Sequence, residues 1–227
     1  MSECRRYADL TNGTFDPTVQ PLWILYRDHF SAPGADPVGP SEASLQAALA
    51  RVGFDHVLSD RNRIVFARPG MGLTLNGIAQ GYATDRVVDI LRNNGIESSL
   101  VDMGEPRAVG FHPSGEPWRV GLADPDHPEQ VGEIVEATDL AVATSSGSGF
   151  RFDAAGTFNH LLDPRSGGSP HLYRSVSAMM PTATSADALS TAFSLMLPED
   201  IAKALRRIGT GQVRLITASE ERLALQA

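Results

Sequence analysis

The sequence contains a single cysteine in 227 residues, and this scarcity excludes whole classes of site. Cys4 alone can form neither an intrachain disulfide nor a metal site built from several cysteines. Its place near the N-terminus favours an incidental thiol over a catalytic nucleophile.

Runs of basic residues are also missing. The chain has 19 Lys and Arg residues against 27 Asp and Glu residues, which gives a net charge of −8. This acidic balance argues against a nucleic-acid partner. A small phosphate-bearing ligand remains compatible, because backbone amides can hold a phosphate without net positive charge.

No apolar run is long enough to cross a membrane, and the N-terminus lacks the hydrophobic stretch of a signal peptide. We therefore expect a cytoplasmic protein without a membrane span. A signal trimmed upstream would leave the same sequence, so export stays an open alternative. The composition, 42% hydrophobic and 20% charged, is that of a folded globular protein.

Helical and strand patterns interleave along the chain without a repeat, which predicts an α+β fold with a mixed, largely antiparallel sheet flanked by helices. We expect residues 1–227 to form one domain. The stretch LTNGTFDPTVQPLW reads as irregular or extended chain because of its glycine and prolines. Four helices are predicted: 42–52 capped by Ser41, about 76–94, one capped by Ser185 that runs to Pro198, and one that ends at Gly209.

The stretch FNHLLDPRSGGSP, residues 158–170, gathers polar residues directly before a turn. Leu161 and Leu162 suggest the end of a buried strand, and the following Asp-Pro and Gly-Gly pairs predict the turn. A rigid strand that aims polar groups into an accessible loop is a common arrangement for ligand chemistry. A solvated hairpin connection explains the same residues, so both interpretations stay open.

Two further stretches suggest sites near helix starts. Gly77 and Gly81 lie one turn apart, and glycines there indicate close approach, either of a ligand or of a tightly packed helix. Asp187 and Thr191 lie four residues apart, so one helical face can present a carboxylate and a hydroxyl to a cation such as Mg²⁺. A favourable contact with the helix dipole is the alternative for Asp187.

Three segments, TLNGIAQGYATDRV, FNHLLDPRSG and PTATSADALSTAFSLM, together resemble the FAD:protein FMN transferase (ApbE) family. They occur in the family's order, and GTFDPTVQPLW, LVDMGEPRAVG and VATSSG are similar to the family's intervening segments. The resemblance implies an ApbE-like, T-fold-like architecture. It also implies a magnesium-dependent enzyme that cleaves FAD, attaches FMN to a Thr or Ser hydroxyl of a target flavoprotein, and releases AMP.

The resemblance also implies which residues form the site. The carbonyl of Gly77 would join Asp187 and Thr191 as the third magnesium ligand. His160 matches the histidine of the family's turn motif, and an imidazole with an ordinary pKa near 6.5 could accept a proton from the incoming hydroxyl. A structural histidine, bonded to Asp163 or to the turn backbone, is the alternative.

Contacts with FAD are expected from His160, Arg165, Thr74 and Gln80. For Arg165, an ion pair with Asp163 is the alternative to a flavin or phosphate contact. The family commonly has an acidic residue in place of Thr74 and a lysine or glutamate in place of Gln80. Where the family has Gly-Gly-Asp, this chain has Gly-Glu-Pro at 104–106.

Only about a dozen residues precede Phe15, whereas family proteins usually carry a substantial N-terminal region that includes part of the flavin pocket. The chain is therefore a short member, a truncated one, or one completed by another chain, which leaves a homo-oligomer open. We expect the predicted helix starts and the His160 turn to share one cleft that binds FAD weakly. FMN transfer is favoured; FAD pyrophosphatase activity giving FMN and AMP, or a catalytically silent flavin-binding or interaction protein, are the alternatives.

Overall fold

Each of the two units into which the protein divides is assembled from two separate stretches of chain. The computed structural model describes residues 1–127 and 129–227. The first unit contains Met1–Leu75 and Gly147–His171, and the second contains Asn76–Ser146 and Leu172–Ala227. The prediction that the chain forms one domain remains a prediction.

The first unit is mainly helical. Its elements are the helices α1 (Ser2–Leu10), α2 (Gln20–Ser31) and α3 (Glu42–Leu49) and the antiparallel hairpin of β1 (Val57–Ser59) and β2 (Ile64–Phe66). Ser41 caps α3 as predicted, since its hydroxyl accepts a hydrogen bond from the backbone N–H of Ser44. Irregular chain was the wrong prediction at the start of α2, because Pro21 lies in the first turn, where a helix tolerates proline.

The core of the first unit lies between α2, α3 and the 147–171 stretch. Leu22, Tyr26 and Leu162 are buried in it together, and the rings of Phe152 and Phe158 pack against Tyr26. Leu161 and Leu162 are buried as expected but lie outside any strand, so the predicted strand end is wrong. The predicted turn follows them.

Within residues 76–127, 129–146 and 172–227, the second unit contains a six-stranded sheet, a separate hairpin and three α-helices. The helices are α4 (Ala79–Asn93), α5 (Ala183–Phe193) and α6 (Pro198–Ile208). Its strands are β3 (Ser99–Val101), β4 (Arg107–Val109), β5 (Trp118–Ala123), β6 (Val131–Ala137), β7 (Ala141–Ser145), β8 (Tyr173–Met180), β9 (Gln212–Thr217) and β10 (Arg222–Gln226). Among residues 1–127 and 129–227, no helix has both the length and the apolar character needed to cross a membrane.

The six-stranded sheet has the order β10-β9-β8-β7-β4-β3, and each neighbouring pair is antiparallel. The predicted α+β class with a largely antiparallel sheet is confirmed. Strands β5 and β6 form their own antiparallel hairpin, whose Val120 and Leu122 pack with Val142 of β7 and Met179 of β8. This cluster is an apolar core of the second unit.

Helix α5 is the most deeply buried helix of this unit: nine of its 11 residues are buried. It packs on β7 and β8 and also against α4. The helix begins with Thr182 as its N-cap, so the predicted cap, Ser185, is wrong by three positions. Thr182 instead accepts a hydrogen bond from the backbone N–H of Ser185, which satisfies one of the amides that a helix start leaves unpaired.

Helices α4 and α5 touch at Gly81. A Cβ at this position would overlap the carbonyl oxygen of Ala183 and lie 2.8 Å from the Cβ of Asp187. Of the two interpretations of Gly81, tight helix packing is therefore the one observed. The small residue lets the two helix backbones approach closely.

Replacing Gly81 with alanine should destabilise the protein by about 1–3 kcal/mol, because the added methyl meets backbone that cannot move independently. Denaturant unfolding of the wild type and the variant measures this change. Gly168→Ala is the matched control, since a Cβ there has as its nearest neighbour only the Ser166 hydroxyl at 3.8 Å. Equal stability of the Gly81 variant and the wild type would contradict the close packing of α4 on α5.

Candidate functional site

The strongest cluster of predicted site residues lies at the start of α4. Asp187 and Thr191 lie one turn apart on α5. A Cβ on Gly77 would lie 2.9 Å from the hydroxyl oxygen of Thr191, so the backbone at Gly77 passes directly beside that side chain. Gly77 is thus a neighbour, within the second unit, of a helix face that lies more than a hundred positions further along the chain.

The carboxylate of Asp187 is held by the first turn of α4. The backbone N–H of Gly81 donates to its Oδ2 at 3.0 Å, and the residue is only 4% exposed. Burial raises the pKa of Asp187 to about 6, although the Gly81 hydrogen bond opposes the shift. The charged form is therefore held in surroundings that favour a compensating positive charge.

A second acidic side chain, that of Glu105, responds to the charge of Asp187. Burial, followed by repulsion from Asp187 and Asp102, raises the pKa of Glu105 to about 8. Glu105 lies where the sequence departs from the family's Gly-Gly-Asp segment, and sequence reasoning gave it no role. The only sequence signal for Glu105 was its position directly after Gly104 in the segment LVDMGE.

The donor set of the cluster suits a hard divalent cation. It consists of a carboxylate with one oxygen bound to a backbone N–H, a hydroxyl one turn away, and a backbone stretch beside that hydroxyl. Mg²⁺ prefers such oxygen ligands, few in number, and completes its shell with water and substrate phosphates. No group of three or more His, Cys, Asp or Glu residues is close enough to hold a metal in the part of the chain that the structure describes.

Gln80 belongs to the same unit, at the start of α4. Its side-chain amide lies over the backbone of Gly104, so closely that a Cβ on that glycine would overlap the Gln80 nitrogen. Gly104 has a φ of +113°, a conformation that favours glycine. This contact places Gln80 beside the segment that carries Glu105, whereas its contact with a nucleotide stays a prediction.

The His160 turn lies in the first unit. The ring Nδ1 is 3.1 Å from the carbonyl oxygen of Phe150, and the His160 backbone N–H donates to the same oxygen at 3.2 Å. Because a carbonyl can only accept, Nδ1 carries the hydrogen, and Nε2 is the basic nitrogen of the neutral ring. Burial lowers the pKa of His160 below its ordinary value of 6.5, although the Phe150 contact opposes the shift.

The turn after His160 is closed by two backbone hydrogen bonds between Asp163 and the glycine pair, Gly167 N–H to Asp163 O at 2.7 Å and Asp163 N–H to Gly168 O at 2.8 Å. Asp163 also receives Nε and Nη2 of Arg165 at 2.9 and 3.0 Å. The ion pair offered as the alternative for Arg165 is therefore present. The alternative for His160 was a structural histidine bonded to Asp163 or to the turn backbone. The structure shows a backbone contact, but its partner is the carbonyl oxygen of Phe150.

Thr74 is also in the first unit, where its backbone N–H donates to the carbonyl oxygen of Pro17 at 2.8 Å. The structure thus brings together the predicted metal ligands within one unit and places His160, Arg165 and Thr74 in the other. A common cleft that contains Gly77, His160 and Asp187 remains a prediction.

These observations define a two-unit α+β protein with an oxygen-donor cluster between two packed helices. The model of the ApbE family matches residues 1–215, and the chain belongs to this family. Among curated relatives, it is 33% identical over 201 residues to a protein of Vibrio cholerae named FAD:protein FMN transferase, with 86% of this chain and 59% of that relative covered.

A relative of the same name from Escherichia coli is 29% identical over 213 residues, with 90% of this chain and 60% of that protein covered. The chain therefore spans about 60% of the length of these curated relatives. Among solved structures, the ApbE protein of Thermotoga maritima matches with a TM-score of 0.83 at 30% identity, and 98% of this chain and 73% of that chain are covered. The flavin transferase ApbE of Vibrio cholerae matches with a TM-score of 0.81 at 29% identity, and the match covers 100% of this chain and 72% of that chain.

Replacing Asp187 with asparagine should weaken divalent-cation binding at least tenfold while the fold survives. The amide oxygen can still accept the Gly81 hydrogen bond, but the negative charge that attracts a hard cation is gone. Titration with Mn²⁺, followed by electron paramagnetic resonance and by competition with Mg²⁺, measures the change.

Asp200→Asn is the matched control for this experiment, because Asp200 is a carboxylate on α6 whose exposed side chain is paired with Lys203. Its cation affinity should equal that of the wild type. Equal Mn²⁺ affinities in the wild type and in the Asp187 variant would remove Asp187 from the site.

Proposed function

We propose that this protein is a magnesium-dependent FAD:protein FMN transferase that moves FMN from FAD to a Thr or Ser hydroxyl of a target flavoprotein. The observation that carries the proposal is the meeting of Gly77, Asp187 and Thr191 at the start of α4. The names of the relatives support the same activity. FAD is the substrate, and the acceptor flavoprotein is the second partner.

The reaction exchanges a phosphoanhydride bond of FAD for a phosphoester bond to the acceptor. The acceptor hydroxyl oxygen forms a bond to the FMN phosphorus of FAD, and the bond from that phosphorus to the bridging oxygen breaks. AMP leaves with the bridging oxygen, and the acceptor keeps FMN through a phosphodiester. The hydroxyl proton passes to a base, so atoms and charges balance.

Asp187, Thr191 and the carbonyl of Gly77 are the proposed magnesium ligands. A bound magnesium ion would neutralise charge on the pyrophosphate and on departing AMP. The protein's own contribution is to hold a carboxylate and a hydroxyl in fixed positions on a buried helix. Burial, followed by repulsion from Asp187 and Asp102, raises the pKa of Glu105 to about 8, so this carboxyl is mainly protonated near neutral pH and adds little negative charge of its own.

His160 is the proposed base, and Nε2 is the atom that would receive the hydroxyl proton. The Phe150 carbonyl supports this role because it fixes the hydrogen on Nδ1 and so leaves Nε2 basic. Burial keeps the ring neutral near neutral pH, the form that a general base requires. Thr74, Gln80 and Arg165 are the proposed FAD contacts, with the Arg165 guanidinium oriented by Asp163.

Incubation with FAD, Mg²⁺ and a coexpressed candidate acceptor flavoprotein should give one AMP for each FMN covalently attached. Mass spectrometry of the acceptor and chromatography of AMP measure the two products, and flavin fluorescence in a denaturing gel confirms the covalent bond. Asp187→Asn and a chelator should both abolish labelling. AMP release without acceptor labelling would instead identify an FAD pyrophosphatase, and flavin binding without either product would identify a silent binding protein.

Replacing His160 with asparagine should slow FMN transfer about 10²–10⁴-fold, the usual span for loss of a general base. Because its pKa is lowered from 6.5, the wild-type ring stays neutral above that pH, and its transfer rate should fall only below pH 6.5. The variant should lose the part of this acid limb that comes from His160 and keep the part that comes from protonation of Asp187, whose pKa is about 6. His171→Asn is the matched control, since His171 also contacts a backbone carbonyl, that of Thr157; equal rates in the wild type and in His160→Asn would make His160 a structural residue.

A further inference from the structure

A buried ionic network lies next to the cation cluster and has no part in the chemistry described above. Asp85, on α4, is 4% exposed, and its carboxylate accepts four hydrogen bonds. Oδ1 receives Nη1 of Arg107 at 2.6 Å and the backbone N–H of Ala183 at 2.8 Å. Oδ2 receives the backbone N–H and the hydroxyl of Thr184 at 2.9 and 2.5 Å.

The two backbone donors are the first two residues of α5. Their amides have no partner inside the helix, so an external carboxylate both satisfies them and interacts favourably with the helix dipole. Asp85 therefore binds the start of α5 from α4, while Asp187 of α5 binds the Gly81 N–H at the start of α4. Each helix supplies a carboxylate to the first turn of the other.

This reciprocal arrangement fixes the position of α5 along its axis. A helix rises about 1.5 Å per residue, so a small slide of α5 would separate Asp187 from Gly81 and Thr191 from Gly77. Asp85 resists such a slide because its two oxygens hold three donors of the first turn of α5 at once. Arg107 supplies a positive charge opposite the buried carboxylate of Asp85.

The Asp85–Arg107 ion pair is by itself weak evidence for a stabilising role. A buried ion pair usually adds little net stability, because desolvation of the two charges offsets their attraction. Within the described residues, Nε of Arg107 is buried and finds no hydrogen-bond partner, which adds a further cost. The hydrogen bonds of the network do join α4 to the first turn of α5 at defined backbone positions.

We propose that Asp85 is a positioning residue for the cation site: it holds α5 in the place where the second oxygen of Asp187 and the hydroxyl of Thr191 face a cation beside Gly77. This inference rests on the proposed function, since it assumes the cation site. It adds to that function a residue that touches neither the cation nor the substrate.

The test compares Mn²⁺ affinity in Asp85→Asn, Thr184→Val and wild-type protein, with no FAD present and below every unfolding transition. Asparagine keeps the size of Asp85 but removes its charge and replaces one accepting oxygen with an NH₂ group, which cannot accept from the donors that surround it. Valine removes only the hydroxyl that Thr184 donates. We expect a loss of affinity of about 10–100-fold in Asp85→Asn, the usual range for residues that orient metal ligands, and a smaller loss in Thr184→Val.

Thermal unfolding and circular dichroism accompany each titration, because a merely structural role would lower the melting temperature without changing the affinity of the folded protein. Asp89→Asn is the matched control on α4; its exposed side chain pairs with Arg86, and the variant should bind Mn²⁺ as the wild type does. Unchanged affinity in folded Asp85→Asn and Thr184→Val would overturn the inference. If Asp85→Asn does not fold, Thr184→Val decides alone.

The Asp187→Asn variant distinguishes a failure of the positioning role from a failure of the proposed cation site itself. If Asp187→Asn loses Mn²⁺ and the Asp85 and Thr184 variants keep it, the cation site stands and the positioning role is wrong. If Asp187→Asn also binds Mn²⁺ as the wild type does, the metal assignment itself is wrong, and the positioning role is overturned with it.

Discussion

The contact between α4 and α5 is the constraint on which the second unit depends. Two carboxylates, Asp85 and Asp187, each bind backbone amides at the start of the opposite helix. The contact is short because Gly81 has no side chain and because alanines line much of α5. Without this close approach, Gly77 and Thr191 would not be neighbours, and no oxygen cluster would form.

Much of the fold could be predicted from local sequence patterns. The Ser41 cap of α3, the Gly209 end of α6 and the β1–β2 hairpin are set by nearby residues, and the structure confirms all three. Strand β8 could not be identified in this way. It lies between β7 and β9 and is buried along six of its eight residues, so it lacks the alternation by which half-buried strands are recognised.

The start of α5 shows why the rest of the site was harder to predict. The sequence PTATSADAL offers several good caps, and local rules alone favour none of them strongly. The start of α5 is instead set by Asp85, about a hundred residues away in the sequence, because Asp85 binds the amides of Ala183 and Thr184 in the first turn. The Asp187–Thr191 spacing is local and was predictable; the partnership of Asp85 with Arg107 is not.

The burial of α5 also has a consequence for how the proposed magnesium site would bind a cation. A ligand on a loop must lose conformational freedom when a cation arrives, and that loss weakens binding. Asp187 and Thr191 instead lie on a helix packed against β7, β8 and α4, so folding has already immobilised their backbone. Cation capture would then be governed by the exchange of water for protein oxygen, and release of the ion would leave the helix ordered.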